Sequence, residues 1–145
     1  MTPNVQSAAS GADGSQLLMI RQLLDSQRIA IVGLSIDSSK ASHRVASYLK
    51  KMGKNIVPVN PNHESVMGLK CYRSLEEVPG EIDLVDVFRP AEDCTEVIRS
   101  AINKSVKGIW LQLGIKCEQG RQLAKEAGIN YVEDRCLMVE HQAFL

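Results

Sequence analysis

Residues 33–45, GLSIDSSKASHRV, combine what a phosphate group needs. Gly33 permits a tight turn and a close backbone approach. Ser35, Ser38, Ser39 and Ser42 bring hydroxyls, while Lys40, His43 and Arg44 bring positive charge. A helix starting near Ser42 would add free N–H groups and the positive end of its dipole, which together suit an anion. A serine-rich loop with an ordinary helix cap explains the same residues, and the turn alone leaves both readings open. Four other short stretches place polar or aromatic residues at the end of apolar runs. They are VNPNH (59–63), VFRP (87–90), WLQLG (110–114) and EDRC (133–136).

The elements around these stretches are legible from residue pattern. Ser15 is placed to cap a helix running to about Ser26, with Leu17, Leu18, Ile20, Leu23 and Leu24 as its apolar stripe. RIAIVG is a short, β-branched run of the kind buried on both faces of a parallel sheet. HRVASYLKKMG reads as a helix closed by Gly53. NIVPVNP is a second strand stopped by Pro61, IDLVDVF a third, GIWLQL a fourth and INYVED a fifth. Between the third and fourth, Cys94, Val97, Ile98, Ala101 and Ile102 mark one face of a helix. EQGRQLAKEAG is another helix, and a last helical turn or two starts near Cys136. SVMGLKCYRSLEEVP breaks the alternation and predicts a short extended excursion, then a brief helix after Ser74. Strands alternating with helices imply an α/β fold: a Rossmann-like, open, parallel five-stranded sheet with helices on both faces. Ligands of such sheets bind beyond the carboxyl ends of the strands, where strand order reverses. All the polar stretches above fall at those ends.

The bulk properties narrow the function. The chain has 145 residues, with 17 lysines and arginines against 17 aspartates and glutamates. That length suits one domain, expected over 15–145 after a polar, disordered lead at 1–14. The charge balance gives no general attraction to nucleic acid or an anionic membrane. No apolar run approaches the roughly 18 residues of a membrane span, and no secretion signal is recognisable. Cys71, Cys94, Cys117 and Cys136 are widely spaced, so reduced thiols and a cytoplasmic location are expected, with no metal site. There is no GxSxG elbow, and none of His43, His63 and His141 sits in a nucleophile motif. Glu140–His141 can be an acid–base pair or simply a polar helix end. Glu76–Glu77 reads as a solvated helix face.

An ordinary nicotinamide site fits poorly. GxGxxG is absent, and the second strand ends in Asn60-Pro61-Asn62-His63, without the acidic residue that binds a ribose hydroxyl. Such an end better suits a nucleotide with further phosphate on its ribose, although Pro61 can also be a mere strand terminator. Taken together, GLS…SHRV, VNP, MGLKCYRSLEEVP, DVFRP, WLQLG and DRC…EH resemble the small stand-alone coenzyme A-binding proteins. These are similar to the CoA-binding domain of the succinyl-CoA synthetase alpha subunit. The resemblance covers about residues 27–143.

It implies coenzyme A as the ligand, with the phosphate loop on Gly33, Leu34, Ser35, Ser42, His43, Arg44 and Val45. The segment after the second strand falls on Asn60, Pro61 and His63; His63 stands where the synthetase subunit carries a phosphate-binding lysine, which would make that contact pH-dependent. Phe88 and Arg89 would flank adenine or the phosphates, and Trp110, Gln112 and Gly114 would line the pantetheine path. Trp110 and Phe88 fit the core equally well, and Arg89 fits a structural ion pair. Gln112, at the end of a buried strand, needs a hydrogen-bond partner. Asp134 and Arg135 can pair to close the last turn, and Cys136 is either a thiol near the crevice mouth or a buried small hydrophobe. The synthetase's phosphorylated histidine belongs to a second domain with no counterpart in these residues. The expectation is therefore a binding module for CoA or an acyl-CoA, with no chemistry of its own and an unknown protein partner. Two other classes stay open: a nicotinamide- or nucleotide-binding redox sensor, and a subunit lending its CoA site to a separately encoded acyl-CoA synthetase.

Overall fold

The computed structural model describes residues 14–145, so the expected lead at 1–14 lies, but for Gly14, outside the described residues. Five parallel strands form one sheet: β1 (Arg28–Val32), β2 (Asn55–Val59), β5 (Leu84–Val87), β6 (Gly108–Leu111) and β7 (Asn130–Val132). Their order is β2-β1-β5-β6-β7, so strand order reverses between β1 and β5. The two short strands β3 (Ser65–Val66) and β4 (Leu69–Lys70) make a separate antiparallel hairpin. Its turn residues Met67 and Gly68 have φ of 57° and 74°, the left-handed pair that a tight two-residue hairpin requires. A single 3-10 turn, Leu75–Glu77, follows, so the expected excursion and brief helix are both present.

Alternation along the strands divides the core into two. Ile29, Ile31, Leu84 and Trp110 face a layer built by α1 (Gly14–Leu24), α2 (Ala41–Lys51) and α5 (Leu137–Ala143). Ala30, Val32, Val85, Val87, Ile109 and Leu111 face α3 (Ala91–Asn103) and α4 (Glu118–Glu126). Helix α1 runs Gly14–Leu24, so Ser15 lies inside the helix instead of capping it, and the helix stops at the end of its apolar stripe, short of Ser26. Helix α2 buries Ser42, Val45, Ala46 and Leu49 and stops where expected. Gly53 takes φ 87°, and Lys54 N–H reaches back to the Leu49 carbonyl at 3.0 Å.

One residue breaks the apolar rule. Asp86 is fully buried in β5, between Ile31 and Trp110 of the neighbouring strands. Neither carboxyl oxygen has a partner among the described residues. Burial alone pushes its pKa well above the ordinary carboxylate range, which favours the uncharged form.

Candidate ligand crevice

The sequence of β1 runs apolar to Val32 and then meets Gly33 at the reversal point. Gly33 has φ 89°, and a Cβ there would stand 2.8 Å from the Phe88 carbonyl and 3.2 Å from Arg89 Cδ. Its N–H donates to the Val59 carbonyl at 2.9 Å. Glycine is thus what lets the ends of β1, β2 and β5 converge. Any side chain would push the post-β5 segment away.

Beyond Gly33 the loop is stapled to itself. Ser35 N–H donates to Ser42 Oγ at 3.0 Å, and Asp37 N–H to Ser35 Oγ at 3.0 Å. Asp37 Oδ1 accepts from Ser39 N–H at 2.9 Å and Ser39 Oγ–H at 2.7 Å, bonds that hold its carboxyl below the usual range. Arg44 is exposed, and its guanidinium donates to the Ser39 carbonyl. Lys40 occupies the N-cap position of α2 without a side-chain cap, and no acidic residue lies in the first turn. The dipole end of α2 is therefore left without a capping anion. Asp37, which the sequence reading did not single out, is the one carboxylate of the loop.

Asn60 ties this loop to the end of β2. Its Nδ2 donates to the Leu34 carbonyl at 3.0 Å, and its Oδ1 accepts from Asn62 N–H at 2.9 Å. Between these ends and α3 lies a crevice of about 450 Å³. Gly33, Asn60 and Pro61 form one wall; Arg73, Ser74 and Glu76 another; Arg89, Asp93, Glu96 and Ser100 a third. Glu76 is held below the usual carboxylate range chiefly by the Ser100 hydroxyl. Arg89 pairs with Asp93 at 2.8 Å, both about half exposed, so the structural ion pair exists and still borders the crevice. A second hollow of about 580 Å³ lies outside Pro61 and Asn62 and is bordered by His63, Glu64, Lys70, Cys71, Arg73 and Glu77.

The expected contact residues divide accordingly. Gly33, Asn60, Pro61 and Arg89 line the crevice, and His63 lines the outer hollow. Ser35, Ser42 and Arg44 form the α2 loop network, and His43 faces Ser47 along the helix at 3.5 Å. Leu34 and Val45 are core side chains, and Phe88 packs partly buried against that core, so the first two can offer a ligand only backbone. Trp110 is fully buried, its indole N–H donated to the Arg135 carbonyl at 2.8 Å; its side chain belongs to the core and not to the crevice. Gln112 is buried and finds its partner in α5, where Oε1 accepts the Leu137 N–H at 3.2 Å. Gly114 N–H donates to Asp134 Oδ1 at 2.7 Å, which ties the β6–α4 loop to the last turn. Cys136 is partly exposed and packs against the α1–α2–α5 core. His141 bonds the Tyr48 hydroxyl through Nδ1 at 2.7 Å, away from the crevice. Arg73, Ser74, Glu76 and Ser100 were not anticipated. The signal available was an arginine directly after the extended return of the hairpin.

Comparison with known proteins fits this geometry. The sequence profile of the CoA binding domain matches residues 27–142. A Bacillus subtilis (strain 168) protein, "Uncharacterized protein YneT", is 37% identical over 123 residues, covering 84% of this chain and 91% of that one. The alpha subunit of ADP-forming acetate–CoA ligase II from Pyrococcus furiosus is 32% identical over 112 residues, and the match spans 74% of this chain but only 24% of the subunit. Among solved structures, the cell-free protein ID.343 from Thermus thermophilus superposes with a TM-score of 0.84 at 34% identity, covering 88% of this chain and 98% of that one. Among the described residues no helix is long and apolar enough to cross a membrane. The α2 loop, the β2 end and the crevice beside α3 all lie within the matched span, and the chain belongs to the CoA binding domain family.

Proposed function

We propose that the protein binds coenzyme A, free or acylated, across the carboxyl ends of β2, β1 and β5, as one folding unit over 15–145 without chemistry of its own. The observation that carries this is the convergence at Gly33. An uncapped helix start, a backbone turn no side chain could share and a crevice of about 450 Å³ meet at the point of strand reversal. The diphosphate would rest on the first turn of α2 with Arg44 as its charge-assisted donor. The nucleotide end would enter the crevice between Asn60, Pro61 and α3. His43 faces Ser47 along α2, His141 bonds Tyr48, and His63 borders the outer hollow with Cys71. A cytoplasmic setting is in keeping with four free cysteines.

Titration calorimetry of the ligand-stripped protein with CoA and NADH tests this reading. Saturable CoA binding without NADH binding is expected. The reverse result would revive the redox-sensor class, and binding of neither would favour a subunit that completes its site with a catalytic chain. Arg44→Ala should weaken CoA about 10-fold or more, the usual loss for a hydrogen bond to a charged group, with folding unchanged because the side chain is exposed. Equal affinity would place the diphosphate elsewhere.

A further inference from the structure

The crevice and the outer hollow share Pro61, Asn62 and Arg73. Arg73 therefore stands on the divide between them. Its backbone is fixed: Tyr72 N–H donates to the Pro58 carbonyl at 3.0 Å, and Tyr72 accepts from Asn60 N–H at 2.9 Å. Leu75, two residues on, is 3% exposed and anchors the 3-10 turn in the α3-side core. Yet the Arg73 side chain is exposed and has no hydrogen bond or ion pair among the described residues. The neighbouring arginines differ: Arg44 is bonded to Ser39 and Arg89 to Asp93. Lys70, which borders the same hollow, lies over the Tyr72 ring at 5.1 Å.

Charge around the two spaces is uneven. The inner crevice holds Glu76, Asp93 and Glu96 against Arg89 and Arg73. A phosphate deep inside it would face carboxylates, whereas an adenine would offer them its amino group as a donor. The outer hollow adds His63 and Lys70 beside Arg73, opposite Glu64 and Glu77. Resting on the CoA reading above, we infer that Arg73 is the specificity residue for the ligand's ribose: its guanidinium takes the 3′-phosphate at the rim, while the base lies in the acid-lined crevice. A planar, permanently charged fork suits a phosphomonoester better than the imidazole of His63 does. This assigns the ribose phosphate to the hairpin's return segment and not to the end of β2.

The test is calorimetric, with CoA, dephospho-CoA and NADPH against the wild type and Arg73→Gln. The wild type should prefer CoA to dephospho-CoA by roughly 10- to 100-fold, the range for a hydrogen bond to a charged group. Arg73→Gln should lose that preference by weakening CoA alone, with dephospho-CoA affinity and melting temperature unchanged. A variant that keeps the preference, or that weakens both ligands equally, overturns the assignment while CoA binding itself stands. A wild type that binds both ligands equally does the same. A wild type that binds neither ligand fails the CoA reading, and the assignment with it. If NADPH binds in place of CoA and depends on Arg73, the arginine reads a ribose phosphate but the ligand is not CoA, and the 3′ assignment falls.

Discussion

Asp86 is the residue whose chemistry the fold strains most. It holds a proton in the fold that the unfolded chain releases above about pH 4. Its burden is absent below that pH and grows as pH rises toward the folded value, by about 1.4 kcal/mol per unit. Asp86→Asn removes the ionisable group at nearly the same volume. We expect the variant to match the wild type near pH 4 and to exceed it by more than about 1 kcal/mol at pH 7, as read by urea unfolding at both pH values. A wild type as stable as the variant at pH 7 would mean that the carboxyl finds a partner. In the sequence, LVDV betrays this residue only as one acid in an apolar strand. That it lacks a partner depends on what α1, α2 and α5 bring against it, which no local pattern reports. Trp110 is the converse case, since strand alternation decides its face but the letters after it suggested a ligand wall.

At the scale of elements, the five strands and the helices between them were legible because each is a short apolar run or a clean helical stripe. The pairing of the return segment 71–73 with β2 was not, because a pairing at that distance leaves no periodicity. The packing of α5 was likewise hidden. Helix α5 is held by the Gln112 side chain at its start and by the Tyr48–His141 bond near its end. Burial, and then Lys54, lower the pKa of His141 from its usual value, with Asp25 opposing. A histidine so shifted supports the fold fully above about pH 6.5, and that support is lost as pH falls toward its folded value. Thermal melts should therefore show the wild type losing stability between pH 7 and 5 relative to His141→Gln. Tyr48→Phe should cost about 1 kcal/mol at pH 7, because it removes one hydrogen bond from a half-buried ring. An identical pH profile in His141→Gln would show that the imidazole titrates alike in the folded and unfolded chain.

For the whole molecule, the proposed CoA binding would be linked to stability. CoA at about 100 times its dissociation constant should add about 2.7 kcal/mol and raise the melting temperature on the order of 10 °C in a single transition. Two separate transitions would show that 15–145 is not one folding unit. The hairpin return has a consequence for the sheet as well as for the ligand. Strand β2 is an edge, and an open edge invites pairing with other chains. Pro58 withholds one donor from that edge, and Tyr72 occupies the ladder positions beside Pro58 and Asn60. The segment that presents Arg73 to the crevice thus also guards the β2 edge against strand addition. Substitutions that loosen residues 71–73 should be read for aggregation as well as affinity, since the same stitches guard both.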